Sequence, residues 1–368
     1  MMIEPLLARA LGLLLAAGSL VNGAPSEITW DRAHPVLIHE GGHYGRITRL
    51  SPSALIAGFD FRRAIHARLS HDEGETWEPA VKIASIAGGS CTNTELCVLK
   101  SGELLCFFNF RPSRGSELSY SIRMCRSRDQ AKSWSTPKTL YSAGKDFGDG
   151  CWEPAAIQLP SGEVQVYFAN ESPYRKSNEQ EISMLRSQDN GGTWSGTETI
   201  SFRKKSRDGM PVPVVAANGS AIAVAIEDNG LNGQFKPVIV CSRLERGAWR
   251  NGTVDGDSRY RWGALAKPLP ASTYAGAPYL RQLPDGPFIL SFQIADSGDM
   301  KDSRMAVSLG NDRARDFGEP TFPFSETPGN AQLWNSLFIK NAHTVTAVSE
   351  TTLNGFFGVW AVDGSLEP

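Results

Sequence analysis

Short apolar runs bounded by turn-forming triplets set the rhythm of this sequence. Residues 151–168 show it best: an apolar-rich stretch opening at Cys151-Trp152-Glu153-Pro154, the triplet Pro160-Ser161-Gly162, then Val164-Gln165-Val166-Tyr167-Phe168. The runs are too short for helices, and Pro and Gly punctuate them, so the pattern predicts strand, turn, strand. The same hairpin is predicted at 44–59 around Ser51-Pro52-Ser53, at 93–108 around Lys100-Ser101-Gly102 and at 209–225 around Ala217-Asn218-Gly219. Two more follow at 277–292 around Pro284-Asp285-Gly286 and at 333–348 around Lys340-Asn341-Ala342.

A second repeat runs out of phase with the hairpins. Ser70-His71-Asp72-Glu73-Gly74-Glu75-Thr76-Trp77 returns as Ser187-Gln188-Asp189-Asn190-Gly191-Gly192-Thr193-Trp194, and more loosely as Ser127-Arg128-Asp129-Gln130-Ala131-Lys132-Ser133-Trp134. Ser and Asp can bond to backbone N–H groups within a turn, Gly accepts a conformation that a Cβ resists, and Trp buries a large ring beside it. The box therefore reads as a staple between two strands, and its aspartates as structural. The three aspartates lie 57 and 60 residues apart. Six units of that length, each with two strands before the box and two around it, fill nearly the whole chain. The predicted fold is an all-β, six-bladed β-propeller of four-stranded antiparallel sheets, a single domain over 24–368.

Residues 1–23 are set apart. Leu6 to Val21 is apolar apart from Arg9, with Val21 and Gly23 suited to a signal-peptidase site, so a secretory leader is expected and the mature chain should be extracellular. No other stretch is long and apolar enough to span a membrane. Lys+Arg 37 against Asp+Glu 39 leaves a formal charge of −2, too little field to hold a nucleic-acid backbone. Asn170, Asn218 and Asn251 begin N-glycosylation sequons, and six cysteines permit up to three disulfides in an exported chain. There is no CxxC pair and the 6 histidines are scattered, so neither metal nor cofactor is expected.

In a meander of strands A to D, counted from the centre, the A–B turns and the boxes occupy one face. Polar residues at the start of A or the end of B should line the opposite mouth. Those starts offer Arg46, Asn93 or Glu95, and Glu153; the ends offer Asp60, Asn109, Asn170 with Glu171, Glu227 with Asp228, Gln293 and Glu350. Such a ring suits a sugar, with Trp152 or Trp334 as stacking faces. Glu153 and Glu227 stand out, because each adjoins an apolar run from which desolvation would raise a carboxyl pKa. Two carboxyl groups from neighbouring blades facing one glycosidic bond are the minimum equipment for its hydrolysis.

The boxes resemble the Asp-boxes of the sialidase superfamily, which are six-bladed propellers. Trp152-Glu153-Pro154, and Gly209-Met210-Pro211-Val212 leading to Glu227, resemble glycoside hydrolase family 93, the exo-1,5-α-L-arabinanases. That resemblance implies retaining, exo-acting hydrolysis of an α-1,5-linked L-arabinan or a similar plant-wall saccharide; the chain is expected to be a monomer. By the resemblance Glu153 would be the general acid/base and Glu227 the nucleophile, and Arg46 and Asp60 would bind the saccharide; Trp152, Asn170 and Trp334 are expected to join them from their places at the mouth. Arg46 also resembles the first arginine of a sialidase, but the last blade, where sialidases carry a tyrosine nucleophile, reads Leu333-Trp334-Asn335-Ser336-Leu337. A sialidase and a non-catalytic glycan-binding propeller are the alternative readings.

Overall fold

The structure is a computed structural model, and it describes residues 27–367 apart from 231–232, 245–247, 251, 285 and 327–328. The leader at 1–23 and the sequon residue Asn251 lie outside the described residues. Every predicted hairpin forms, and each supplies strands A and B of one blade. Blade one runs His43–Ser51, Ala54–Phe61, Ala64–Ser70 and Val81–Ala84; blade two runs Gly89–Val98, Leu104–Pro112, Ser121–Ser127 and Lys138–Ser142. Blade three is Cys151–Gln158, Val164–Asn170, Glu181–Ser187 and Glu198–Ser201; blade four is Ser206–Val215, Ala221–Gly230, Lys236–Arg243 and Arg261–Gly263.

The last two blades depart from a uniform four strands. Blade five has three named strands, Tyr274–Gln282, Phe288–Ala295 and Arg304–Leu309, and its outer place is taken by a single bridge from Val307 to Thr321. Blade six joins both ends of the chain. Leu333–Asn341, Thr344–Leu353 and Phe356–Glu367 come from the C-terminal side, while Glu27–Trp30 and Val36–Glu40 pair in succession along Phe356–Glu367. Ile28-Thr29-Trp30 and Phe357-Gly358-Val359-Trp360 therefore lie on adjacent strands of the closing sheet.

The boxes staple blade to blade. In each full copy the Ser Oγ receives the Gly N–H, 2.8 Å from Gly74 and 2.7 Å from Gly191, while the Asp carboxylate accepts the N–H of the Thr, 2.9 Å at Thr76 and 2.8 Å at Thr193. The ring of Trp194 then packs edge-on against Phe107 of blade two, 5.9 Å between centroids. A fourth, worn copy escaped the sequence reading: Ser242 and Trp249 keep the spacing, but Leu244, Arg246 and Ala248 replace Asp, Gly and Thr. Trp249 still donates its backbone N–H to Ser242 Oγ at 2.7 Å and its indole N–H to Tyr167 Oη of blade three at 2.7 Å. Trp249 is buried in the core, and Trp77, Trp134 and Trp194 pack partly buried against it. The six cysteines are all unbonded, so no disulfide contributes.

Candidate active site

The six inner strands share one irregularity. Each loses register near its start, between His43 and Arg46, Thr92 and Glu95, Trp152 and Ala155, Gly209 and Val212, Gly276 and Tyr279, and Leu333 and Ser336. The bulge puts one residue per blade into left-handed backbone: Tyr44, Asn93, Glu153, Met210, Ala277 and Trp334, with φ from 43° to 57°. None is glycine, so each position costs on the order of 1–3 kcal/mol that the surrounding blades must hold. Bulges re-aim side chains, and here they aim them at the hub, where Tyr44, Met210, Ala277 and Trp334 of four blades form one apolar cluster. The ring is thus greasy on one side and carries Asn93 and Glu153 on the other.

A second ring supports the first. Opposite the residue before each bulge, strand B presents Asp60, Asn109, Ala169, Glu227, Gln293 and Glu350. Four of these accept the bulge N–H of the next blade. Asp60 Oδ2 lies 2.7 Å from Asn93 N, Glu227 Oε2 2.7 Å from Ala277 N, Gln293 Oε1 2.6 Å from Trp334 N and Glu350 Oε2 3.1 Å from Tyr44 N. Glu227 therefore has a structural duty, and its other oxygen is left for chemistry.

Glu153 and Glu227 face the same mouth, from adjacent blades. Burial pushes the Glu153 carboxyl up to about 8, and the neighbouring charge of Glu227 adds to the rise. Burial likewise pushes Glu227 up to about 7, against the lowering effect of the Ala277 N–H and of Arg207. Two glycines make room for Glu227: a Cβ on Gly276 would stand 2.7 Å from Glu227 Oε2 and 2.5 Å from Tyr274 Oη, and one on Gly209 would stand 2.9 Å from Glu227 Oε1.

The other sequence candidates divide. Trp334 sits in the bulge ring, its indole 6.3 Å from the Tyr44 ring. Asp60 sits in the supporting ring with Oδ1 buried and unbonded, and burial raises its carboxyl to about 7. Both line a pocket of about 410 Å³ shared with His43, Tyr44, Asn93 and Arg111.

Three expectations need correction. Arg46 and Glu95 lie two residues beyond the ring, one layer deeper, where Arg46 Nε is 3.8 Å from Glu95 Oε2 and its guanidinium is 3.8 Å from the Tyr44 ring and 4.8 Å from that of Tyr279. Arg46 also donates to the carbonyls of Gly45 and Trp334, so it plugs the channel instead of lining the mouth. Asn170 falls on the wrong parity, because Ala169 occupies the ring place; it is bonded to Tyr141 Oη, Ser183 Oγ and the N–H of Ser172, which leaves it buried and closed to sugar or glycan. Trp152 is buried among Tyr120 and Phe147 with Arg111 4.9 Å over its ring, so it is a prop and not a stacking face.

Sequence reasoning also passed over residues that complete the site. Arg111, seated on Trp152, reaches Asn93 Oδ1 at 2.6 Å and stands 4.0 Å from Glu153 Oε1. Arg207 pairs with Glu171 and bonds Gln180 Oε1 at 2.6 Å. Arg111 was findable as the second residue beyond Asn109, hence on the same side of its strand; Arg207 carried no comparable signal. Among the described residues, no three His, Cys, Asp or Glu gather as metal ligands do.

A family model described as a BNR repeat-like domain matches residues 121–329. No curated protein matches the chain. Among solved structures, a protein of unknown function from Dyadobacter fermentans superposes with a TM-score of 0.70 at 15% identity, covering 92% of this chain and 99% of its own. The glycoside hydrolase family 93 α-L-arabinofuranosidase of Fusarium graminearum, in complex with arabinobiose, gives 0.69 at 17% identity, covering 90% and 98%. A Hadza microbial sialidase gives 0.61 at 15% identity, covering 87% and 65%. At such identities the likeness is one of fold.

Proposed function

The chain belongs to the BNR repeat-like domain family, and from that premise we propose that it is a glycoside hydrolase cleaving α-linked L-arabinose chains with retention of configuration. One observation carries the reading: two desolvated carboxyl groups, Glu153 and Glu227, come from adjacent blades to one mouth and titrate near neutrality. Glu153, the more strongly raised, holds its proton at neutral pH and can deliver it to the leaving oxygen as general acid. Glu227 ionises more readily, helped by the Ala277 N–H and Arg207, and supplies the carboxylate that attacks the anomeric carbon. The Fusarium protein binding arabinobiose supports this sugar class. The greasy side of the ring, with Trp334 and Tyr44, suits the apolar face of a pentose, and Asn93, Asp60 and Arg111 suit its hydroxyls.

The decisive experiment incubates the protein with linear arabinan, a sialoside and a galactose-rich pectin fragment side by side, and reads products by mass spectrometry. Arabinose or short arabino-oligosaccharides are expected, and Glu153→Gln and Glu227→Gln should each cut turnover by at least about 10³-fold. With methanol as acceptor, the methyl glycoside should keep the α configuration. Sialic acid as the only product would revive the sialidase reading, and binding without turnover would leave a lectin.

A further inference from the structure

On the face opposite the mouth, a pocket of about 590 Å³ opens between blades four and five. Its walls come from the A–B turn of blade four, the end of strand C at Cys241 and Arg243, the segment Arg259–Tyr260–Arg261–Trp262, and the loop after strand C of blade five at 312–315. From Ala221, which lines it, to Glu227 is six residues along one strand, or about 20 Å at roughly 3.3 Å per residue. It is a separate place from the proposed active site.

Among the described residues, the guanidinium groups of Arg243, Arg259, Arg313 and Arg315 line this pocket, and Asp312 is the one acidic residue. None of the four makes a salt bridge with a described carboxylate, although the chain as a whole is slightly acidic. Arg315 lies over the indole of Trp262 at 3.7 Å, and Arg259 over Tyr260 at 4.9 Å, which fixes two of the forks against aromatic rings. Among the described lining residues only Asp312 offsets these positive charges, so the pocket carries a positive potential that favours an anion. Asn218 and Ser220 add amide and hydroxyl groups at the rim, and the volume is that of an ordinary small-molecule site.

We propose that this pocket binds an acidic saccharide, a uronate-bearing chain whose carboxylates lie on the arginines, two of which Tyr260 and Trp262 hold in place. The site anchors the protein to charged polysaccharide while the mouth on the other face stays open. Several planar forks around one cavity, with neutral polar groups at its rim, favour a chain bearing more than one carboxylate over a compact inorganic anion.

The test is calorimetric titration of the whole protein with tetragalacturonic acid at low ionic strength. Wild type should bind, more weakly as salt is raised. Because Arg243 and Arg313 are exposed, Arg243→Gln combined with Arg313→Gln should leave the fold intact and weaken binding by about tenfold per guanidinium removed. Glu227→Gln should leave it unchanged, which separates this site from the mouth. No binding at low salt, undiminished binding by the double variant, or equal affinity for inorganic sulfate or a nucleoside triphosphate would overturn the proposal.

Discussion

A carboxyl group enclosed by protein and facing another carboxyl titrates far from its solution value, and Glu153 and Glu227 are both so placed. Their folded-state values, about 8 and about 7, lie above the ordinary 4.5. The folded state therefore binds more protons than the unfolded chain between about pH 4.5 and 8, and these groups make stability fall as pH rises through that window. Glu153→Gln should stabilise the fold at pH 8 by on the order of 2 kcal/mol, and so raise Tm, and leave Tm unchanged at pH 4. Equal shifts at both pH values in scanning calorimetry would refute the assignment. Activity needs one group ionised and the other protonated, so kcat/KM should trace a narrow bell whose limbs lie near 7 and 8 and belong to the pair. Room around Glu227 is as specific as its charge. Gly276→Ala would push a methyl group to within 2.7 Å of Glu227 Oε2 and 2.5 Å of Tyr274 Oη. It should destabilise by about 1–3 kcal/mol and lower kcat far more than it raises KM.

At the scale of elements, the turn box and the bulge divide the labour between the two faces. Hydrogen bonds from Ser187 and Thr193 hold the Asp189 carboxyl down at about 2, so its stabilising effect is full above the ordinary 3.8 and lost as pH falls through 2. Asp189→Ala should lower Tm at pH 7, lower it less near pH 2, and leave turnover of the folded protein unchanged; a loss of turnover would mean that the box reaches the mouth. The bulge, by contrast, is written in no motif. Tyr44, Asn93, Glu153, Met210, Ala277 and Trp334 have no chemistry in common, and only register shows that they are one position seen six times. Position at a strand's start or end offered Arg46, Glu95 and Asn170; the bulge gives the hub place to Tyr44 and Asn93, two residues earlier, while Asn170 lies one residue past Ala169.

The whole molecule is a ring, and rings depend on their closure. Glu27–Trp30 pairs antiparallel with residues 364–367, and the Trp30 indole N–H reaches Thr321 Oγ1 at 2.9 Å, tying blade six to blade five. Removing residues 27–40 should expose the edge of Phe356–Glu367 and lower Tm by roughly 10 °C or more with loss of a single cooperative transition. A truncated protein that melts as wild type does would show that closure lies elsewhere. Sequence alone determined the number of blades, the hairpins and the staples, because each rests on residues within a few positions of one another: Gly where backbone turns tightly, Asp and Ser where N–H groups need acceptors, Trp where blades meet. It also marked Glu153 and Glu227, whose apolar flanks are local. Which side chains meet at the hub was decided only in three dimensions, since a bulge, a blade-to-blade hydrogen bond and an arginine such as Arg111 seated on Trp152 join residues whose proximity no local pattern encodes.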